Sequence, residues 1–555
     1  MFQRIQRNQL LIISLVTGIL LALSWPARGF PFLVFVAFVP LLWTEDQVVI
    51  RRKEIRAASF FLYAWISFFV FNLATTWWIM YATLPGMIVA VLLNALFMAI
   101  PWWLMHISRR MLPETQGPLS IIIFWLSFEF LHARWELSWS WLDLGNVFAA
   151  YPAWIQWYDT TGTAGGSLWI LCINLLLFYA LKAYLPGGST ALRTRNTQVK
   201  RHFHKNVRWY AGLALALFLV PAAISWTKWL GYREIPVPVE VVVIQPSEDP
   251  YEPVRSQGEA IRRLDHMIAL ADEKISPATR FVLAPEGANP QGIWMHEAEM
   301  NTGVQRLQAH MEQHPGLVWI IGSFTYRMYE AGEEIPLTAR PYGEGGRHFD
   351  VFNSAVMIEA GQPLQYHHKS KLVPGIERMP YFRYLEPLGR LVDRFGGISG
   401  SLGTQAGRSA FVTSDHIRVA PSVCYESIYG DYTAEYIQDG AGLLFIGTND
   451  GWWRDTPGYR QHLQYARLRA VELRRSIARS ASTGISAFIG QRGEIIAQTS
   501  WWEAESMAAT LNENYAMSFY ARTGNFLGKM SLFLFVFFVL YVFSQRMIKG
   551  SKSVL

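Results

Sequence analysis

Eight apolar segments constrain this chain more than any other feature. They run at about 10–25, 30–44, 57–80, 87–105, 118–132, 162–184, 209–226 and 526–545. A helix that crosses a bilayer needs about 20 predominantly apolar residues. The second and fifth segments are the shortest for that task. The first follows Arg4 and Arg7 in the manner of a signal peptide, but no small-residue cleavage site follows it, so it reads as an uncleaved first helix. Positive charge falls on alternate connections. One side carries Arg4, Arg7, Arg51, Arg52, Lys53, Arg56, Arg109, Arg110, Arg193, Arg195, Lys200, Arg201, Lys205, Arg208, Arg546, Lys549 and Lys552. The opposite short connections offer little beyond Arg28 and Arg134. With eight spans, the excess of Lys and Arg on cytoplasmic loops puts both termini in the cytoplasm and residues 227–525 on the far side. A soluble protein with buried helices has no reason to alternate its charge in this way.

The fold expected is therefore a multi-pass α-helical membrane domain plus an extracytoplasmic α/β domain. We divide the chain into a seven-helix membrane domain (1–226), a catalytic domain (227–525), and an eighth helix with a cytoplasmic tail (526–555). Only 16% of residues are charged, against about a quarter in soluble domains, and the deficit falls in the first 230 residues. The net charge of +7 does not point to nucleic acid, because the basic residues sit between apolar runs. The two cysteines, Cys172 and Cys424, lie in different halves, which excludes a disulfide framework. The connection 133–161 contains Trp135, Trp139, Trp141, Trp154 and Trp157. Indole rings favour the headgroup level, so this loop is expected along the membrane surface. Glu129, within an apolar segment, is expected to hydrogen-bond locally, with Arg134 as partner.

Residues 235–520 alternate short β-rich runs with amphipathic stretches. Val239–Gln245, Phe281–Ala284, Val318–Gly322, Phe352–Ile358, Ile417–Val423 and Leu443–Gly447 read as strands, and Glu252–Glu273, Ala298–Gln313 and Gly458–Ser476 as helices. Alternation of this kind implies an α/β domain with buried sheets. Three motifs follow predicted strands: Ala-Pro-Glu286-Gly, His368-Lys369-Ser-Lys-Leu-Val-Pro-Gly-Ile-Glu377, and Ser-Val-Cys424-Tyr-Glu426. In α/β folds, strand ends deliver side chains into a common crevice. Cysteine forms covalent acyl intermediates once its thiolate is generated. Glu286 is suited to take the proton of Cys424. Lys369 and a backbone N–H near Cys424 are suited to hold an oxyanion, and a helix starting at Cys424 would favour a thiolate.

The ordered set Pro-Glu…Lys-x-x-Leu-Val-Pro-x-x-Glu…Cys-Tyr-Glu resembles the nitrilase superfamily. Its placement between a seventh and an eighth membrane helix resembles the apolipoprotein N-acyltransferase family within that superfamily. Gln245-Pro-Ser-Glu-Asp-Pro, Phe352-Asn353-Ser, Thr448-Asn449-Asp450-Gly-Trp452-Trp453 and the Trp-rich loop agree. The resemblance implies an α-β-β-α sandwich. It implies Glu286 as general base, Lys369 rather than Lys371 as catalytic lysine, and Cys424 as nucleophile. Glu377 corresponds to a glutamate assisting the lysine or the base. Tyr425 and Glu426 correspond to residues beside the nucleophile, and Asn353 to a position in the family's Tyr/Phe-Asn strand. This chain departs from the family's common pattern with Pro-Glu-Gly-Ala and Val-Pro-Gly-Ile-Glu, and the stretch Tyr329–Phe349 has no clear counterpart. The implied reaction moves an acyl chain from a phospholipid, at sn-1 of phosphatidylethanolamine, through a Cys424 thioester to the N-terminal diacylglyceryl-cysteine of an apolipoprotein. It requires no cofactor or metal and is expected of a monomer in the bacterial inner membrane with its catalytic domain in the periplasm. His367 and His368 do not suggest a metal pair, because adjacent strand residues face opposite ways. The rival readings are a membrane-tethered amidase that hydrolyses its thioester and a non-catalytic scaffold.

Overall fold

Each of the eight apolar segments is helical in the computed structural model, which describes residues 6–27, 29–109, 117–184, 197–343, 345–381 and 401–551. Arg4, Arg28, Arg110, Arg193, Arg195 and Lys552, part of the charge asymmetry, lie outside the described residues. Six helices have the length and apolarity of a membrane crossing: Arg7–Ser24, Pro31–Ile50, Ala58–Tyr81, Leu84–Arg109, Tyr158–Tyr184 and Val207–Gly231. The apolar helices Ser120–His132 and Phe526–Tyr541 are shorter, and they pack against each other. Val207–Gly231 turns Leu215, Leu219, Val220 and Leu230 outward, and the C-terminal helix does the same with Phe533, Phe537 and Leu540. Exposed apolar faces this long are suited to lipid, not to water. Arg109 and Lys182 balance Glu45 and Asp46 among these helices: Arg109 bridges both carboxylates, Lys182 Nζ lies 2.8 Å from Asp46, and the His106 ring Nδ1 lies 2.8 Å from Glu45.

Residues 238–512 form two sheets. The strands are β1 (Pro238–Gln245), β2 (Thr279–Leu283), β3 (Asn289–Trp294), β4 (Val318–Tyr329), β5 (Arg340–Tyr342), β6 (Arg347–Glu359) and β7 (Gln365–His368). They continue with β8 (Phe411–Val412), β9 (Arg418–Val423), β10 (Leu443–Thr448), β11 (Ser476–Ala481), β12 (Ala487–Ile489), β13 (Ile495–Gln498) and β14 (Glu505–Asn512). The first sheet has the order β14-β1-β2-β4-β6-β5, with β3 on β4 and β7 on β6; the second runs β13-β12-β11-β10-β9-β8. Within the stretch 329–349, Tyr329 ends β4, Arg340–Tyr342 form the short β5, and Arg347–Phe349 begin β6 of this first sheet.

The period of two along a strand builds the layers. In β1, Val239, Val241 and Val243 face the second sheet and pack with Val419, Leu443, Phe445 and Phe488. Val242 and Ile244 face the other way, onto Leu264 and Met267 of the helix Gln257–Asp272 and Val304 and Leu307 of Thr302–Gln313. The outer face of the second sheet is covered by the helices Gly430–Gln438 and Pro457–Leu473. The result is a helix–sheet–sheet–helix sandwich. Its second helical layer is continuous with the apolar core of the N-terminal helices, so Tyr436, Leu463 and Leu468 share one core with Phe71, Trp102 and Trp125.

Two local expectations are corrected. The tryptophan loop does not simply lie along a surface. Trp135 is exposed, but Trp141 is fully buried, donates from Nε1 to Gln461 Oε1 at 2.7 Å, and packs on Trp78, Trp453 and His462. The loop is a wedge between the apolar helices and Pro457–Leu473, which gives its aromatic surface a protein partner. Glu129 does not meet Arg134. Its Oε1 accepts from Trp125 Nε1 and from the Leu144 N–H, both at 2.8 Å, whereas Arg134 pairs with Asp431. Two donors directed at the carboxylate satisfy it without a cation.

Candidate active site

Strand direction gathers the site. Strands β1, β2 and β4 run parallel, as do β9, β10 and β11. Strand β7 is antiparallel to β6, which is antiparallel to β4, so β7 ends at the same edge as β4. Glu286 lies three residues past β2, Lys369 one past β7, and Cys424 one past β9. Asn449 follows β10 in the same way. Gly322 on β4 makes room for the turn that carries Glu286: a Cβ there would stand 2.5 Å from the Glu286 Cα and 2.5 Å from the Pro285 carbonyl oxygen. Both departures from the family pattern fall on left-handed backbone. Gly287 has φ +75° and Gly375 φ +81°, and glycine adopts this region without steric cost.

Lys369, 1% exposed, places Nζ 3.0 Å from Glu286 Oε1 and 2.8 Å from Glu377 Oε1. Asn353, on β6, donates its side-chain amide to the same two oxygens at 2.7 and 3.0 Å, and its carbonyl accepts from Lys369 N–H at 2.7 Å. The other oxygens are also held. Glu286 Oε2 accepts from Asn449 N–H at 3.2 Å, and Glu377 Oε2 from Val373 N–H at 2.8 Å. Burial works against the ammonium, but Glu286, Glu377 and Cys424 outweigh it and hold the Lys369 pKa well above the ordinary lysine value. Lys371 is directed elsewhere: its Nζ donates to the Ala133 carbonyl at 2.9 Å and lies over the Tyr429 ring.

Cys424 is 7% exposed and has φ +49°, a conformation that costs a non-glycine residue of order 1–3 kcal/mol. It opens a 3-10 turn, Cys424–Ile428, in place of the longer helix that would stabilise a thiolate. Burial first, and then the charge of Glu286, push the thiol well above the usual cysteine range, against the opposing effects of Lys369 and Thr448. That direction favours the neutral thiol, so a nucleophilic role would require a base to take its proton.

Glu426 and Tyr425 face away from that chemistry. Glu426 Oε2 accepts from Val423 N–H and lies 2.9 Å from His367 Nε2, while Oε1 accepts from Ser370 N–H at 2.7 Å and from Tyr432. One buried carboxylate thus ties the cysteine turn to the lysine loop. Burial opposes its charge, but His367 and these donors bring its pKa down to about 2. Tyr425 OH donates to the Ser138 carbonyl at 3.0 Å, and its ring stacks on Trp139 at 5.9 Å, joining the cysteine turn to the tryptophan loop. His367 and His368 do diverge. The first meets Glu426, whereas His368 Nδ1 lies 2.7 Å from Ser354 Oγ with its ring stacked on Phe352.

Asp450, of the Thr-Asn-Asp-Gly-Trp-Trp stretch, is buried behind Cys424 together with His462, Arg479 and Ser427, three residues to which the motifs give no role. No local spacing announces them, because they come from four separate elements. Among the described residues, Cys424, Asp450 and His462 have a spacing that could suit a cation, as do Asp272, His310 and His314. In the first group, Arg479 already neutralises Asp450, and His462 is engaged through both ring nitrogens. In the second, Trp319 N–H donates to His310 Nδ1, which leaves the proton on the nitrogen that would have to bind.

Residues 17–176 match the apolipoprotein N-acyltransferase N-terminal domain, and residues 243–519 match the carbon-nitrogen hydrolase domain. The chain belongs to the apolipoprotein N-acyltransferase family. A relative of that name from Chlorobaculum tepidum is 27% identical over 526 residues, spanning 92% of each chain. Another from Geobacter metallireducens is 25% identical over 94% of this chain and 93% of that one. A third, from Thermotoga maritima, is 23% identical over 98% and 95%. The N-terminal match covers most of the apolar helices, and the hydrolase match takes in the site and the strands from the end of β1 onward.

Proposed function

We propose that this membrane acyltransferase moves a fatty acyl chain from a phospholipid, at sn-1 of phosphatidylethanolamine, to the α-amine of the N-terminal diacylglyceryl-cysteine of an apolipoprotein. The observation that carries the chemistry is the buried Lys369 ammonium between two carboxylates, at the strand edge where Cys424 sits on its turn. Glu286 takes the thiol proton as Cys424 Sγ attacks the ester carbonyl. Lys369 and a backbone N–H of the cysteine turn stabilise the oxyanion. Glu286 then protonates the departing lysophospholipid, which leaves an acyl thioester. In the second half-reaction the lipoprotein amine attacks that thioester, gives its proton to Glu286, and Cys424 leaves as thiol. Glu377 and Asn353 hold Lys369 and Glu286 in register.

The setting follows from the two apolar regions and the charge asymmetry. Residues 1–226 form the membrane domain, 227–525 the catalytic domain and 526–555 the last helix and tail. The two short apolar helices complete eight crossings, the termini are cytoplasmic and the catalytic domain is periplasmic. The core shared between the apolar helices and the second helical layer supports a catalytic domain seated on the bilayer, where both lipid substrates lie. The test is trapping. Purified protein incubated with a phospholipid carrying a tagged acyl chain should form a hydroxylamine-sensitive adduct that is lost in Cys424→Ala. Label that survives the substitution refutes Cys424 as nucleophile. Added diacylglyceryl-peptide should collect the label as amide, and release as free fatty acid alone would mark a hydrolase.

A further inference from the structure

Behind Cys424, and outside the Glu286–Lys369–Glu377 set, lies a buried chain of polar groups that ends on the nucleophile's own backbone. His462, on the helix Pro457–Leu473, packs its ring against Trp141 and Trp453. Its Nδ1 lies 2.9 Å from Asp450 Oδ1, which also accepts from the Thr448 hydroxyl at 2.9 Å, while Asp450 Oδ2 accepts from Arg479. Its Nε2 lies 3.2 Å from the Cys424 carbonyl oxygen and 3.0 Å from Ser427 Oγ. The Ser427 hydroxyl donates to that same carbonyl at 2.7 Å. Two side chains therefore converge on one backbone oxygen, at a residue whose φ of +49° has to be held in place by its surroundings.

The peptide bond is planar and trans, so the direction of the Cys424 carbonyl fixes the opposite direction of the Tyr425 N–H. Tyr425 is the second residue of its helical turn, where an N–H has no partner inside the helix. We infer that His462, together with Ser427, is a positioning residue that clamps the Cys424 carbonyl and so aims the Tyr425 N–H at the oxyanion formed on Cys424. In this clamp Nε2 carries a proton and donates to the carbonyl, and Arg479 Nη2 and Asp450 Oδ1, 3.2 and 2.9 Å from Nδ1, hold the other side of the ring. His462 and Asp450 also lie within 4.8 Å of the thiol, but the Nε2 contacts run to the carbonyl and to Ser427, which separates this clamp from a proton-shuttling histidine.

The inference rests on the thioester reading, and its test keeps the two apart. Full-length protein in detergent is assayed for the rate of Cys424 adduct formation from the tagged phospholipid, with kcat and KM measured for transfer to a diacylglyceryl-peptide. His462→Phe should lower kcat about 100-fold, the scale of losing one oxyanion donor, with KM for phospholipid held within about twofold. His462→Gln, which returns an N–H donor near Nε2, should recover about tenfold of that loss, as expected for a hydrogen bond to a carbonyl. Ser427→Ala should lower kcat about tenfold and add little to His462→Phe, because both act on one peptide plane. Iodoacetamide labelling of Cys424 at the wild-type rate would show that the thiol and fold are intact. If His462→Phe does not fold, Ser427→Ala carries the same test. Unchanged kcat in both variants, or a raised KM at constant kcat, overturns the clamp. A His462→Gln variant as inactive as His462→Phe overturns it in favour of proton transfer. Absence of any Cys424 adduct in the wild-type protein defeats the thioester reading instead.

Discussion

Replacing Lys369 with Met tests whether the central ammonium is a counter-ion, an oxyanion donor or both. The charge count is simple. Glu286 and Glu377 each contribute −1 and Lys369 +1, so the cluster carries −1; without the lysine it carries −2. Both Oε1 atoms lie within 3.0 Å of one Nζ, so they stand less than about 6 Å apart. At an effective dielectric constant of about 20, their repulsion at that separation is about 3 kcal/mol. Removing one member of a buried pair costs about 3–5 kcal/mol. Lys369→Met should therefore lose about that much stability, a fall in Tm of roughly 6–10 °C for a domain of this size. Adding Glu377→Gln restores the cluster to −1 and should return most of the lost stability. It should not return activity, because no cation remains to meet the oxyanion. Thermal unfolding in detergent reads the first quantity and single-turnover transfer from tagged phospholipid the second. Wild-type stability in Lys369→Met alone would refute the counter-ion argument. A double variant that regains acyl transfer would show that the ammonium serves stability only.

Three further outcomes follow from the same geometry. Glu426 has a depressed pKa near 2, so its contribution to stability is present above the unfolded carboxylate value and is lost as pH falls from about 4.5 through 2, amounting to about 3 kcal/mol. Glu426→Gln should be less stable at pH 7 and show a flatter acid limb in unfolding curves; parallel limbs would contradict the assignment. Gly322→Ala forces a Cβ against the Glu286 turn, so transfer should fall about 100-fold, the scale of a 1 Å misplacement at a reacting group; near-normal kcat would show that the turn can move. In a Cys172→Ser background, alkylation of Cys424 should be slow at pH 7 and rise as pH climbs above 9. Glu286→Gln, by removing the charge that raises the thiol pKa, should speed alkylation while it abolishes transfer. Alkylation already maximal at pH 7 would mean a preformed thiolate.

What could be read in the sequence, and what could not, divides along the range of the interactions. The apolar segments and strands declare themselves because their signals are local: a run of about 20 apolar residues, or a short, mostly β-branched apolar run as in Val239–Ile244. The principal side chains declare themselves because each follows a strand within one to three residues, and parallel strands bring such positions to one edge. The tryptophan loop was legible only in composition. Trp141 carries the same indole as Trp135, and only the tertiary partner Gln461, 320 residues away, puts one in the core and leaves the other exposed. Glu129 shows the same limit. The nearby Arg134 was the obvious counter-ion, but a buried carboxylate can be satisfied by neutral donors, and a folded-back N–H at Leu144 has no signature in sequence.

The groups behind Cys424 take this further. Asp450, His462 and Arg479 lie on a 3-10 turn, a helix and a strand; Asp and Arg are of types usually exposed, and His is intermediate. Burying them is tolerable only because each satisfies the next: Arg479 neutralises Asp450, Asp450 engages His462, and His462 ends on a backbone carbonyl. Replacing buried ion pairs by hydrophobic residues of equal volume is often neutral or stabilising, so stability alone does not call for such a chain. Its cost is repaid where it terminates. The oxygen it reaches belongs to Cys424, the residue with the left-handed backbone and the proposed nucleophile, so on that proposal the buried polarity holds the peptide plane beside the sulfur. By the same reasoning, Glu426 holds the other side of the turn through Val423 and Ser370. The cysteine turn is thus fixed from two directions, and the proposed acid–base set of Glu286, Lys369 and Glu377 takes no part in holding it.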